Sequence, residues 1–262
     1  MKKKPKNIII SGSNSGLGLF LSKKFILDGH NLILLSRKNN KKKLFKQNID
    51  QKINYIVLNL ENKKSIDEGC KKIRKLYTEI DLVINCAGVQ GPIGLFHKNN
   101  FNNWNKSISI NLINTAYFIR QLIINHKKKI SLVVNLSGGG SSNSRKYFSS
   151  YSISKTGIVR LTENLAEEYK KYKIRFIAIA PGVLKTKMYF KSVIKDKIKS
   201  KKVDFADKNK TYELIKFTML KKNNYMSGKL ISAIWDDWKS VKFINSLRKN
   251  NNFLTLRRIL IK

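Results

Sequence analysis

Six short apolar runs, each closed by small or polar residues and followed by a helix-length stretch, constrain this chain more than any single motif does. They are residues 7 to 10, 31 to 35, Tyr55 to Leu58, Asp81 to Ile84, Ile130 to Leu136 and Ile174 to Ala180. The runs are too short for helices, rich in Ile, Leu and Val, and mostly without polar alternation, as strands covered on both faces must be. Strands that alternate with helices specify an α/β fold with a doubly wound parallel sheet. With 262 residues, 42% of them hydrophobic, the chain can bury a full core, and it reads as one domain over 1–262. Within it, the Lys-rich stretch from about 184 to 224 reads as irregular and suits a segment over a substrate.

The first strand stops at Ser11-Gly12-Ser13-Asn14-Ser15-Gly16-Leu17-Gly18, and an amphipathic pattern follows through Phe20, Leu21, Phe25 and Ile26. Glycines allow a pyrophosphate to approach the backbone, and the helix start offers unpaired N–H groups at the positive end of its dipole. The spacing is Gly-x-x-x-Gly-x-Gly rather than the commoner Gly-x-Gly-x-x-Gly, and an ordinary βα turn can carry it too. At the end of the second strand Ser36 replaces the acid that would accept from a ribose hydroxyl. Arg37 follows it, which favours NADP over NAD. Asn59-Leu60 ends the third strand where an adenine would lie, and Asn85-Cys86-Ala87-Gly88 ends the fourth. Ligands of open parallel sheets bind at such strand ends, so the fold expected is Rossmann-type.

Charge does not redirect this reading. Lys+Arg is 54 against Asp+Glu 16, a net +38, yet the lysines are spread over helix faces and loops alike. No helix-turn-helix, zinc or aromatic-platform pattern accompanies them, so no specific nucleic-acid binding is expected. Cys70 and Cys86 form no metal or disulfide pattern. The basic start Met1 to Lys6 is followed only by Ile8-Ile9-Ile10, too short for a signal sequence, and no run approaches a membrane span. The expectation is a reduced, cytoplasmic protein without a metal.

Tyr151-Ser152-Ile153-Ser154-Lys155 carries the chemistry. On a helix the phenol and ammonium stand one turn apart on one face, where the lysine would favour phenolate and pull Tyr151 below its usual value of about 10. A long helical region from Trp104 to Asn125 carries Asn111 amid apolar neighbours, where it is either a satisfied structural amide or part of the site. Trp235 and Trp238 read as packing or subunit-contact residues.

Together these elements resemble the short-chain dehydrogenase/reductase family over nearly the whole chain, from Asn7 to about Ile234. The resemblance rests on Gly12-x-x-x-Gly16-x-Gly18, Asn85 to Gly88, Asn111, Tyr151-x-x-x-Lys155, and Pro181-Gly182-Val183 with Thr186. It implies that Gly12, Asn14, Ser15, Gly16, Leu17 and Gly18 cradle the pyrophosphate, and that Asn59 and Leu60 flank adenine. Asn85, Ala87 and Gly88 would line the ribose and central strand, and Pro181, Gly182, Val183 and Thr186 would hold the nicotinamide end. Tyr151 would be the general acid/base, Lys155 would bind the ribose, and Asn111 would keep a water in the proton relay. The implied partner is a small carbonyl or alcohol substrate, an anionic one if the basic 184–224 segment is a guide, and the implied state is a homo-oligomer, dimer or tetramer.

The departures are specific. The family's catalytic serine stands thirteen positions before the tyrosine, and here that position is Gly138. Ser141, Ser137 after a local backbone change, or no side chain at all is left for its role. Asn59 replaces a usual Asp, and Ile177 a frequent Asn. A fold that binds NADP(H) without turnover, in a regulatory or structural role linked to nucleotide-sugar or polysaccharide metabolism, is the alternative reading.

Overall fold

The computed structural model describes residues 4–38, 51–126, 130–196 and 204–257, with 192–196 described by their backbone alone. Its centre is a seven-stranded parallel sheet in the order β3-β2-β1-β4-β5-β6-β7. The strands are β1 (Asn7–Ser11), β2 (Asn31–Ser36), β3 (Ile53–Val57), β4 (Leu82–Asn85), β5 (Leu132–Leu136), β6 (Arg175–Ala180) and β7 (Leu230–Ser232). Six of them match the apolar runs. The seventh lies in a stretch the sequence left unassigned, because three residues paired with β6 alone give no periodicity.

Helices cover both faces. On one side α1 (Gly16–Leu27) and α7 (Lys208–Met219) pack Leu21, Phe25, Leu214 and Ile215 against Ile8, Ile10 and Val134. On the other, α2 (Lys63–Leu76) and α4 (Asn114–His126) bring Ile66, Ile73, Phe118 and Leu122 onto Ile9, Ile33 and Val133. Successive residues of β1 thus enter opposite cores, the pleat's period of two made visible. The helix α8 (Val241–Lys249) adds Leu247 to the first layer.

Two expectations need correction. The 184–224 stretch is not irregular: it holds α6 (Lys187–Asp196) and α7, with residues 197–203 outside the described set. The helical region around Asn111 is not continuous either. It runs as α3 (Phe101–Ile108), a π-helical turn Ser109–Ile113, and α4. A π turn frees backbone groups, and the Thr115 hydroxyl donates to the Ile110 carbonyl at 3.0 Å.

Strand order reverses between β1 and β4, and the C-terminal ends of these strands frame a crevice. Gly12 and Ala87 meet there so closely that a Cβ on Gly12 would lie 2.9 Å from the Ala87 Cα.

Candidate active site

The crevice is a cleft of about 1620 Å³ that runs from the ends of β1 and β2 to the start of the helix α5 (Ser149–Glu168). Gly12, Asn14, Ser15, Gly16, Leu17, Gly18, Arg37, Asn59, Leu60, Ala87 and Gly88 line one end. Ser137, Gly138, Ser141, Tyr151, Lys155, Pro181, Gly182, Val183 and Thr186 line the other. Asn85 and Asn111 instead face a small cavity of about 10 Å³ behind it, shared with Lys155, Asn135 and Thr115.

The glycine turn is shaped for close approach. Gly12 and Gly16 have φ of +68° and +56°, which glycine adopts without strain. The helix α1 is preceded by Ser15, whose side chain caps no amide. Asn62, Asn100, Asp207 and Ser240 each cap theirs at the starts of α2, α3, α7 and α8. The start of α1, uncapped by a side chain as the start of α5 is, opens onto the cleft.

At the adenosine end Asn59 does not project as a free acceptor: its Oδ1 accepts from the Glu61 amide at 3.1 Å. Arg37 is exposed and sits 3.6 Å from the Glu61 carboxylate, which also pairs with Lys106 at 2.7 Å. Nothing in the residue spacing pointed to Glu61.

At the other end the helix α5 delivers the pair on one face, with the Lys155 Nζ 5.6 Å from the Tyr151 ring centre. Lys155 is buried, and its ammonium donates to the Leu136 carbonyl at 2.7 Å. Burial lowers its pKa to about 8. The same desolvation pushes the Tyr151 phenol up, not down, and the opposing charge is Arg145 rather than Lys155. Spacing alone placed the lysine correctly but missed the removal of both groups from water.

A depressed lysine has a definite consequence. Between about 8 and the ordinary 10.5 the unfolded chain binds this proton and the folded chain does not, so folding stability rises with pH across that window. The difference in unfolding free energy between the cofactor-free protein and Lys155→Met should therefore be flat below about 8. It should move in favour of the unmodified protein toward 10.5, as urea melts at pH 7 and 10 will show.

Asn111 is tied down. Its Nδ2 donates to the Val89 carbonyl at 2.7 Å and its Oδ1 accepts from the Val89 amide at 2.8 Å, while Ser154 Oγ takes a further bond at 3.1 Å. The small cavity it borders with Lys155 has the volume of roughly one water. Asn85 donates to Asn135 at 2.8 Å, and Asn135 donates to Thr162 at 2.9 Å, which braces β4, β5 and α5 from inside.

Position 138 faces the tyrosine. A Cβ built there would lie 2.8 Å from the Tyr151 hydroxyl, so the phenol occupies the space that a larger residue would need. Ser137 is buried with an unpartnered hydroxyl among the described residues, on the alternate side of the extended backbone. The Ser141 amide donates to the Gly138 carbonyl at 3.2 Å, closing a turn with Gly140 at φ +94°. Ser141 lines the cleft, and the three heavy atoms nearest a Cβ at 138 all belong to Tyr151. Arg145, which the sequence reading passed over, stacks with its guanidinium carbon 3.6 Å from the centre of the Phe148 ring and borders the cleft.

Known proteins resemble this chain in sequence and in fold. A 5-keto-D-gluconate 5-reductase of Escherichia coli (strain K12) is 29% identical over 199 residues, covering 73% of this chain and 76% of its own. A 3-oxoacyl-[acyl-carrier-protein] reductase FabG of Buchnera aphidicola subsp. Acyrthosiphon pisum is 27% identical over 224 residues, covering 84% and 91%. Among solved structures, a variant of actinorhodin polyketide ketoreductase with NADPH superposes with a TM-score of 0.78 at 16% identity, covering 88% of this chain and 96% of the other. The profile of the family described as short chain dehydrogenase matches residues 6–197, from β1 through the cleft to α6. A match across most of the chain, on the sheet and the cleft just described, makes this protein a member of the short-chain dehydrogenase family of oxidoreductases.

Proposed function

We propose that the chain is an NADP(H)-dependent oxidoreductase acting on a small carbonyl or alcohol substrate, with Tyr151 as its general acid/base. The observation that carries this reading is one continuous cleft, with an uncapped glycine-rich helix start at one end and the Tyr151–Lys155 pair at the other. The residues fit the cofactor: the positive-φ glycines leave room for a pyrophosphate, and Gly88 and Lys155 line the same cleft as the glycine turn. When bound, the nicotinamide supplies or accepts the hydride. The chain's own residues hold and orient it through the glycine turn, Ala87, Gly88, Val183 and Thr186. Lys155 binds the ribose hydroxyls, and Tyr151 gives its proton to, or takes one from, the substrate oxygen. Asn111 and the water-sized cavity beside Lys155 form the far end of the proton path. Tryptophan quenching on titration with NADPH tests the reading, and no binding of either nicotinamide cofactor overturns it.

The preference for NADP rests on Ser36 and Arg37. Arg37→Ala should weaken NADPH binding by about 10- to 100-fold, the loss of a charge-assisted hydrogen bond, and leave NADH affinity unchanged; parallel titrations with both cofactors check this. In the same reading the chain is a single domain and a cytoplasmic homo-oligomer. Ile113 beside α4 and Ile153 on α5, each about half exposed, are the contacts offered.

One observation favours a second reading. With glycine at 138 and the phenol packed against it, no side-chain hydroxyl stands beside Tyr151 from that position, and one such donor is typically worth about 10² to 10³ in rate. An NADP(H)-binding protein without turnover would bind cofactor tightly and reduce nothing across a broad carbonyl panel.

A further inference from the structure

We infer that the reactive end of the cleft opens onto an apolar shelf of Met188, Tyr189, Phe205 and Trp235, which seats an extended hydrocarbon or aryl arm of the substrate. This inference rests on the reading of the cleft as a carbonyl site and names the class of molecule it takes. All four side chains line the same cleft as Tyr151. Trp235 is 85% exposed, and Met188 and Phe205 are more than a third exposed. Single exposed hydrophobes are ordinary, but several around one cavity mouth mark a binding surface.

The shelf is held rigid. Tyr189 and Phe205 meet edge to face at 4.9 Å between ring centres, with Phe190 against both. The Ala206 amide donates to the Val183 carbonyl at 2.8 Å, fixing the segment that carries Phe205. Gly182 sits where that segment meets the turn after β7: a Cβ on it would lie 2.8 Å from both Ala206 and Ile234. In that turn the Ser232 hydroxyl accepts from the Ile234 and Trp235 amides, and the Ser232 amide donates to the Asp236 carboxylate at 2.7 Å. These bonds fix the backbone that carries Trp235 at the lip, where its side chain is exposed, whereas Trp238, three residues on, is buried against Phe217.

Charge favours an uncharged arm. Lys187, Lys210 and Arg145 lining this part of the cleft are matched in number by Asp204, Asp207 and Asp236, so the surplus of the whole chain is not concentrated there. A phosphate-bearing arm would meet those carboxylates, while a hydrocarbon chain would cover exposed rings.

The test uses methyl ketones of about four to about ten carbons as probes. Their dissociation constants are measured by calorimetry on the full chain saturated with NADP, and NADPH affinity is measured separately for every variant. In the unmodified protein affinity should rise about two- to fourfold per added methylene. Trp235→Ala and Phe205→Ala should weaken the longest ketone by about tenfold or more, leave the shortest unchanged, and leave NADPH affinity intact. Val241→Ala, an exposed position outside the cleft, should change neither. Affinity independent of chain length, or an equal loss for short and long ketones in Trp235→Ala, would overturn the shelf. A Trp235→Ala protein with altered mass in solution and unaltered ketone affinity would do so too, by making this face a contact between copies. If NADPH does not bind at all, the oxidoreductase reading fails, and the chain-length series on the cofactor-free protein still decides the shelf.

Discussion

Replacing Tyr151 by phenylalanine should lower kcat by about 10² to 10⁴, the usual worth of a positioned general acid/base, while leaving NADPH affinity within about twofold. The substitution removes one oxygen. It keeps the ring that packs beside Gly138 and the 5.6 Å approach of Lys155 to the ring centre, so folding and cofactor binding are poor explanations for any loss. The protonation state gives the same experiment a direction. Burial raises the phenol above its ordinary value, and the Arg145 charge only partly opposes this, so Tyr151 carries its proton through neutral pH. A proton held there suits delivery to an alkoxide, so reduction should be sustained at neutral pH and decline as the phenol ionises in alkali. Steady-state assays with NADPH and a carbonyl panel, run on both proteins across pH, provide the measurement. Equal residual rates in the two proteins would assign the chain to the reading without turnover.

The sheet was legible because parallel strands buried on both faces must be runs of apolar residues, and Ile8-Ile9-Ile10 or Leu32-Ile33-Leu34-Leu35 have no other use. β7 was not, since its three residues owe their conformation to β6 and to the Leu254 carbonyl, which accepts from the Leu230 amide at 2.9 Å. The pair Tyr151–Lys155 was legible as a spacing. Its electrostatics were not, because spacing says nothing of desolvation, and desolvation is the first cause of both shifts. The break at Asn111 escaped notice for a related reason: a π turn keeps helical periodicity nearly intact and shows only in which carbonyl each amide meets. Gly138 was visible as a departure. That the phenol leans into the vacated space is a fact of packing alone. Trp235 and Trp238 look equivalent on the page of residues, and only the Ser232 turn separates a lip from a core.

Gly18→Ala should weaken cofactor binding and destabilise the fold, and Gly29→Ala should do neither to the same degree. A Cβ at 18 would stand 2.3 Å from the Gly12 carbonyl oxygen and 2.9 Å from its carbon, both backbone atoms. The turn has no room to retreat, because Gly12 is itself pressed against Ala87 on the end of β4, and Cys86 lies 3.4 Å from the same added atom. The collision must be relieved by parting β1's turn from α1, which costs about 1–3 kcal/mol or more by the usual scale of overpacking. For a chain of this size that lowers Tm by several degrees, roughly 2–4 °C per kcal/mol. The amides that open onto the cleft move with it, so NADPH affinity should fall by more than about tenfold, since misplaced donors lose charge-assisted bonds. Gly29 also has a positive φ, +80°, but a Cβ on it would meet nothing within 4 Å. Its alanine carries only the backbone strain of a left-handed residue, about 1 kcal/mol, far from the cleft. Thermal melts with and without NADPH separate the two: Gly18→Ala should lose the stabilisation by cofactor as well as intrinsic stability, whereas Gly29→Ala should keep the full cofactor-induced rise. The same rise in both variants would mean that the glycine turn does not hold the cofactor.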